Sequence, residues 1–249
     1  MRPLENIILL TLMVALAWSL VPPHRRAHTL LYMPLVSLVL IVIHAFIEDL
    51  RWQMLPMYAL AAFLTVNNLR LLQRQPAPSK NPKPWLRLLG VVLAILGFLI
   101  ISQVPVILPV FKLPEPGGPY QVGTASLVLA DTARGETFTS DENDPRTIPI
   151  QVWYPANANS EGKTAPYFMD LPKTGRYIAG EVGLPFFFLD HLHLVKTHAI
   201  AGAEPVQQSV GFPVLVFSHG YHLGYLQQNT AVMEALASNG YIVFSVAHP

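Results

Sequence analysis

Gly211-Phe212-Pro213-Val214-Leu215-Val216-Phe217-Ser218-His219-Gly220-Tyr221 is the stretch that decides the fold of the C-terminal half of this chain. Val214 to Phe217 is a short continuous apolar run, the pattern of a strand buried on both faces. Ser218-His219-Gly220 ends it in polar and small residues, where the backbone can turn. Gln228 to Ser238 then places Val232, Met233, Leu236 and Ala237 at helical spacing, and Gly240 after Asn239 supplies a left-handed stop. Tyr241 to Val246 is apolar except for Ser245 and reads as a second strand, expected at an open edge of the sheet. Strand, helix and strand with short connections form a βαβ unit, which implies a parallel sheet and an α/β fold.

Upstream of this unit, Tyr120 to Ala130 and Thr147 to Tyr154 read as two strands. The charged stretch Asp131 to Arg146 joins them as a hairpin with a long loop. Pro155 to Thr164 is a polar loop. Tyr177 to His198 carries apolar residues at helical spacing, with Phe186-Phe187-Phe188, Leu192, Leu194 and Val195 as packing positions. Lys112 to Pro119 holds three prolines and two glycines, a stiff-then-flexible tether.

Before the tether the chain changes character. The 249 residues are 52% hydrophobic and only 12% charged, with a mean hydropathy of +0.39. Soluble domains carry about 25% charge, and the apolar excess lies almost wholly before residue 112. Thr29 to Ile47 and Leu88 to Phe111 each approach the ~20 apolar residues that cross a bilayer. Ile7 to Val21 is shorter, and without a small-residue cleavage site it reads as a span rather than a leader. Leu55 to Val66 is the weakest candidate and spans only if Trp52 and Arg70 serve its two interfaces. With four spans, Arg25, Arg26, Arg70, Arg74, Lys80, Lys83 and Arg87 gather on one side, the cytoplasmic one. The N-terminus and everything after Phe111 are then extracytoplasmic, although Arg2 counts against this topology. His44 falls inside the second span. It reads as a helix-end histidine reaching the interface or a neighbouring helix, because the spans offer it no acidic partner. The expected organisation is a transmembrane helical anchor of about four spans over residues 1–111, a linker over 112–119, and the outer domain over 120–249.

Several chemistries are excluded at once. The net charge of +1 says nothing about nucleic acid, but no basic cluster alternates with aromatics as a binding face would, and no nucleic-acid partner is expected. The absence of cysteine removes disulfides, thiol catalysis and Cys-zinc sites. Asp190-His191-Leu192-His193 and His198 invite a metal reading, but residues two apart on a helix do not share a face. They read as surface histidines, and no metal or cofactor is expected. Ser218 beside His219 is not a nucleophile–base pair, because neighbours on a strand point to opposite faces. Val216 also stands where a nucleophile elbow needs glycine, and no Gly-x-Ser-x-Gly occurs in these residues. What the turn can offer is a backbone donor. With Gly220 turning the chain, the N–H of Tyr221 is positioned to face a developing oxyanion. The same residues equally suit a plain strand-to-helix turn, and spacing alone does not choose between the two. His248 reads as a strand-end residue.

Pro213-Val214-Leu215-Val216-Phe217-Ser218-His219-Gly220, then Leu236-Ala237-Ser238-Asn239-Gly240-Tyr241-Ile242-Val243 and Ala247-His248-Pro249, resemble the platelet-activating factor acetylhydrolases and their bacterial relatives. Gly118 to Thr124, Val152 to Ala156 and Leu194 to His198 match as well, so the resemblance runs over residues 117 to 249. It implies an α/β-hydrolase fold and a metal-independent serine esterase acting on short or oxidised acyl chains of phospholipids. It puts the oxyanion donor on Tyr221, and the family's serine, aspartate and histidine fall beyond Pro249. A multi-span N-terminus lies outside the family pattern. The expectation is a membrane-anchored carboxylic ester hydrolase, cut ahead of its nucleophile elbow and inactive as residues 1–249. Its partners are a phospholipid-like ester and the membrane. The alternatives are a catalytically dead hydrolase-like membrane protein that binds or scaffolds, and a dienelactone-hydrolase-like enzyme acting on soluble esters.

Overall fold

The computed structural model describes residues 1–21, 28–73, 83–137, 139–141, 144–220 and 224–247. Arg25, Arg26, Arg74, Lys80, Tyr221 and His248 lie outside the described residues. Two compact units make up the chain, Met1–Val110 and Phe111–Pro249.

Among its described residues the first unit has four α-helices: α1 (Pro3–Leu20), α2 (Met33–Ile47), α3 (Leu55–Gln73) and α4 (Pro84–Ile107). Taken with the 3-10 turns that lead into α2 and α3, the four helical stretches Pro3–Leu20, Leu30–Ile47, Trp52–Gln73 and Pro84–Ile107 are long and apolar enough, by length and composition, to cross a membrane. The third reaches that length because the helical path runs from Trp52 through Asn67-Asn68 to Gln73, past the end expected at Val66. The fourth starts at Pro84, a proline in the first turn, where its missing N–H costs nothing. Ile8, Leu12, Met54, Met57, Ala61 and Leu64 form a narrow core. The outer faces carry large exposed apolar side chains such as Phe46, Phe63, Leu88 and Ile100.

Polar groups concentrate where the start of α1, the end of α2, the start of α3 and the end of α4 meet, so the helices alternate in direction. Glu5 is fully buried. Its carboxylate accepts Nε and Nη2 of Arg51, each at 2.7 Å, together with the Arg2 backbone N–H (2.8 Å) and the Arg2 Nε (3.0 Å). Arg51 also donates to the carbonyls of Pro105 (3.1 Å) and Leu108 (2.6 Å). The carbonyl of Pro105 would ordinarily take the N–H of residue 109, but Pro109 has none, and the guanidinium fills that place. Arg2 pairs with Glu48 (3.6 Å) and donates to the carbonyls of Glu48 and Asp49. His44 is fully buried among these groups, with Nε2 3.1 Å from Arg2 Nη2 and 3.7 Å from Glu5, and Nδ1 3.1 Å from the Tyr58 hydroxyl. The reading of His44 as lacking an acidic partner is therefore corrected: antiparallel packing of α1 on α2 supplies Glu5. Glu5, His44 and Glu48 also have the spacing of a three-ligand metal set, but two guanidiniums already supply the positive charge those carboxylates need.

The second unit is a six-stranded mixed sheet: β1 (Gln121–Gly135), β2 (Pro145–Ala156), β3 (Thr164–Pro166), β4 (Lys196–Ala201), β5 (Val214–Ser218) and β6 (Ile242–Val246), in the order β3-β4-β1-β2-β6-β5. Among the described residues two α-helices accompany it, α5 (Leu171–Glu181) and α6 (Thr230–Ser238). The expected hairpin is present as β1 and β2, and both strands run on into the stretch expected as loop. β5 and β6 pair in parallel, with α6 between them in sequence. Gly240 ends the α6 connection at φ +90°.

Three expectations are corrected here. β6 is not an edge strand; it lies between β2 and β5, with Val243 only 1% exposed. β5 is the outer strand instead, and Val214 and Val216 are 57% and 72% exposed, so that run is not buried on both faces. Apolar content marks a strand but does not rank its neighbours, and here the order in the sheet reverses the order in the chain. The stretch from Tyr177 to His198 is not one helical segment. α5 ends at Glu181, a 3-10 turn covers Asp190–Leu194, and Lys196 onward is β4. Phe186 is exposed under Arg176 (5.3 Å) rather than packed in the core.

Glu234 fastens α6 to the sheet. It is fully buried and accepts the N–H groups of His198 (2.8 Å) and Ala199 (2.9 Å), while its other oxygen meets His198 Nδ1 at 2.9 Å. β4 pairs with β1 only at Gly123↔Ile200 and Thr124↔Ala201. The amides just before that short ladder thus find their acceptor in a side chain. His198 is committed to this contact, and His191 is buried, so neither is the surface histidine expected.

Glu5→Ala would leave the buried Arg51 without its carboxylate and Arg2 with Glu48 alone, and we expect it to destabilise the helical unit by about 3–5 kcal/mol. Adding Arg51→Leu to Glu5→Ala should recover much of that loss. Unfolding of the detergent-solubilised chain, followed by circular dichroism against denaturant, checks both.

Candidate functional site

The site is built from the C-terminal end of β5. Ser218 is the last paired residue, opposite Val246 on β6. His219 and Gly220 lead out of the sheet, and His219 Nδ1–H donates to the Gly220 carbonyl at 3.0 Å. The ring is thereby engaged with its own turn. Gly220 is exposed, and a Cβ built on it would meet nothing within 4 Å. The steric demand falls on Gly224, which the sequence reading passed over: a Cβ there would run into the Gly220 carbonyl and the His219 ring. The two flanks of the turn therefore lie in direct contact, which only glycine at 224 permits. The Gly220 N–H faces Gln228 Oε1 at 3.5 Å. Tyr221, the residue singled out from the sequence, lies between these flanks and outside the described residues.

Behind the turn runs a buried polar chain. The Gln227 amide donates to Gln151 Oε1 (2.5 Å), Gln151 Nε2 donates to Thr124 Oγ1 (3.1 Å), and Thr124 Oγ1 donates to the Val152 carbonyl (2.8 Å). Ser245 Oγ donates to the Leu226 carbonyl at 2.8 Å. On the return side of the turn the Tyr225 ring stacks on Phe168 (4.7 Å between centroids), which meets Tyr167 edge-on (5.2 Å). Burial pushes the Tyr225 phenol above its ordinary range, and its hydrogen bond with Tyr167 acts in the same direction. Among the described residues of this unit, no group of histidine and carboxylate side chains gathers with metal-ligand spacing.

The family model for platelet-activating factor acetylhydrolase, isoform II, matches residues 107–249, the tether and the whole sheet. The chain belongs to that family. No curated protein matches it. Nine chains of known structure do. One is a ferulic acid esterase from Streptomyces cinnamoneus, 29% identical over 56% of this chain, with a TM-score of 0.43. The match covers 37% of that esterase, little more than a third of its length. For a platelet-activating factor acetylhydrolase family member, the mixed sheet with a parallel β5-α6-β6 unit is the arrangement an α/β hydrolase requires. The Phe-Ser-His-Gly block that carried the resemblance is the end of β5 and the first part of the turn. Sequence reasoning missed Gly224, Gln151 and Gln227. The signal available was a second glycine soon after Gly220 and a Gln-Gln pair just ahead of an apolar helix.

Gly224→Ala should destabilise the C-terminal unit by about 1–3 kcal/mol through overpacking. Gly180→Ala, where a Cβ meets open space near the end of α5, should be neutral or stabilising by about 0.4–1 kcal/mol. Thermal unfolding midpoints of the two variants separate these outcomes. For Tyr225 the sign of the pH effect follows from its raised pKa. The neutral phenol belongs to the fold, so its contribution is complete below about pH 10 and is lost at higher pH, as the unfolded chain ionises first. Tyr225→Phe should flatten the fall in midpoint between pH 9 and about 11.

Proposed function

We propose that this chain is the anchor and first part of a membrane-bound carboxylic ester hydrolase that uses a serine nucleophile and releases short acyl groups from phospholipid-like esters. One observation carries the reading. Within the family-matched region, β5 delivers a Ser-His-Gly turn whose two flanks, at Gly220 and Gly224, are held in contact. In this reading the N–H of Tyr221 and a second N–H, from the residue after the serine, receive the negative charge as the serine oxygen adds to the ester carbonyl. The oxyanion then collapses, and the alcohol leaves with the proton that the triad histidine took from the serine hydroxyl. Water cleaves the acyl-enzyme and regenerates the serine. No Gly-x-Ser-x-Gly lies in residues 1–249, so the serine, its aspartate and its histidine would come from a further segment. Residues 1–249 alone should be inactive.

The four apolar helices support the membrane half of the proposal. Because they alternate in direction, Arg70 at the end of α3 and Lys83 and Arg87 at the start of α4 share one end, opposite the Glu5 network. By the positive-inside rule that basic end is cytoplasmic, and the outer domain is extracytoplasmic. Arg2, paired with Glu5 and Glu48 at the opposite end, counts against this orientation.

Tyr221→Pro removes the proposed donor, whereas Tyr221→Phe keeps it. In the protein extended past Pro249, we expect the proline variant to lose about 100- to 1,000-fold in kcat on a short-chain p-nitrophenyl ester, and the phenylalanine variant to stay near the parent. Equal activity of the two variants, or hydrolysis by residues 1–249 alone, would overturn the mechanism. A folded full-length protein that hydrolyses neither soluble esters nor phospholipid vesicles would favour the binding or scaffolding role.

A further inference from the structure

We infer that Gln151 and Gln227 are positioning residues for the β5 turn; the inference rests on the hydrolase reading above. Gln151 and Gln227 are 2% and 4% exposed, and their amides are joined at 2.5 Å. Gln151 stands on β2 directly opposite Ser245 on β6, so the two side chains share one face of the sheet. Both reach the same short piece of chain, Gln151 through the Gln227 amide and Ser245 through the Leu226 carbonyl. Thr230 Oγ1 adds a bond to the Gln227 carbonyl at 2.9 Å. The segment that returns from the turn is thus held by strands β2 and β6 together, just before α6 begins.

Stability alone gives no reason for this pair. A buried amide–amide bond contributes about 1 kcal/mol net, and an apolar pair of similar shape would serve as well. What the amides have and methylenes lack is direction. One hydrogen-bond geometry fixes Gln227 against β2, and Gly224 then stacks on Gly220 across the turn. An oxyanion donor works only if it is held in place before the charge develops, and a displacement of about 1 Å can cost 100-fold in rate. Gln151 and Gln227 touch no reacting atom; they act through the backbone they hold.

The test uses methionine, which keeps the length of glutamine without its polar atoms. Gln151→Met alone leaves the buried Gln227 amide N–H without its acceptor, and Gln227→Met alone leaves Gln151 Oε1 without its donor; each should lower the unfolding midpoint. The double variant Gln151→Met/Gln227→Met removes both amides, and its midpoint should return towards the parent. In the full-length protein acting on p-nitrophenyl acetate, the double variant should still show kcat at least tenfold below the parent, with KM within twofold. A double variant that recovers both midpoint and kcat would show that the pair is structural only. If the unaltered full-length protein hydrolyses no ester, the functional reading fails separately, and the inference is decided by amide hydrogen exchange. Exchange at Gly224 to Leu226 should be at least tenfold faster in the double variant at matched midpoint; unchanged exchange would overturn it.

Discussion

A carboxylate taken out of water must be given partners, and each unit of this chain is assembled around one such group. In the helical unit Glu5 gathers Arg51 and Arg2, and through Arg51 the end of α4 is drawn in as well. The cost of desolvating these charges is met only because nearly every donor and acceptor is used. In the sheet unit Glu234 does the same work without an arginine, accepting two strand amides and a histidine. Without it, α6 would leave β4 with unsatisfied amides, and the helix that connects β5 to β6 would lose its fixed seat on the sheet.

From that seat follows the geometry at the end of β5. A parallel pair needs a crossover, and the crossover must leave β5 through a sharp turn to reach α6 on the face of the sheet. Chain reversal brings Gly220 and Gly224 into contact, and the polar chain from Thr124 to Gln227 sets how the returning segment lies. The chemistry proposed for the family is economical in this respect, since it asks the turn for a backbone N–H and not for a side chain. β5 carries this turn while it is also the outermost strand, with its apolar residues uncovered among the described residues.

How much of this could be read from the residues depended on the range of the interaction. Four apolar helices, the β1–β2 hairpin and the β5-α6-β6 unit were legible, because hydropathy, the two strand runs and the Asn239-Gly240 stop are local properties of the chain. The Phe-Ser-His-Gly block pointed to the family for the same reason. Pairings between distant residues were not legible. Nothing near His44 announces Glu5, nothing near Glu234 announces the amides of β4, and Gln151 and Gln227 stand on elements far apart in the chain. By itself the sequence determined which segments become helices, which become strands, and where the chain must turn. Tertiary structure alone decided that β6 is interior and β5 outermost, that Lys196–Ala201 is a strand, and which polar groups share a buried site. Those outcomes depend on which surfaces meet once the chain closes on itself, and no local pattern records that choice.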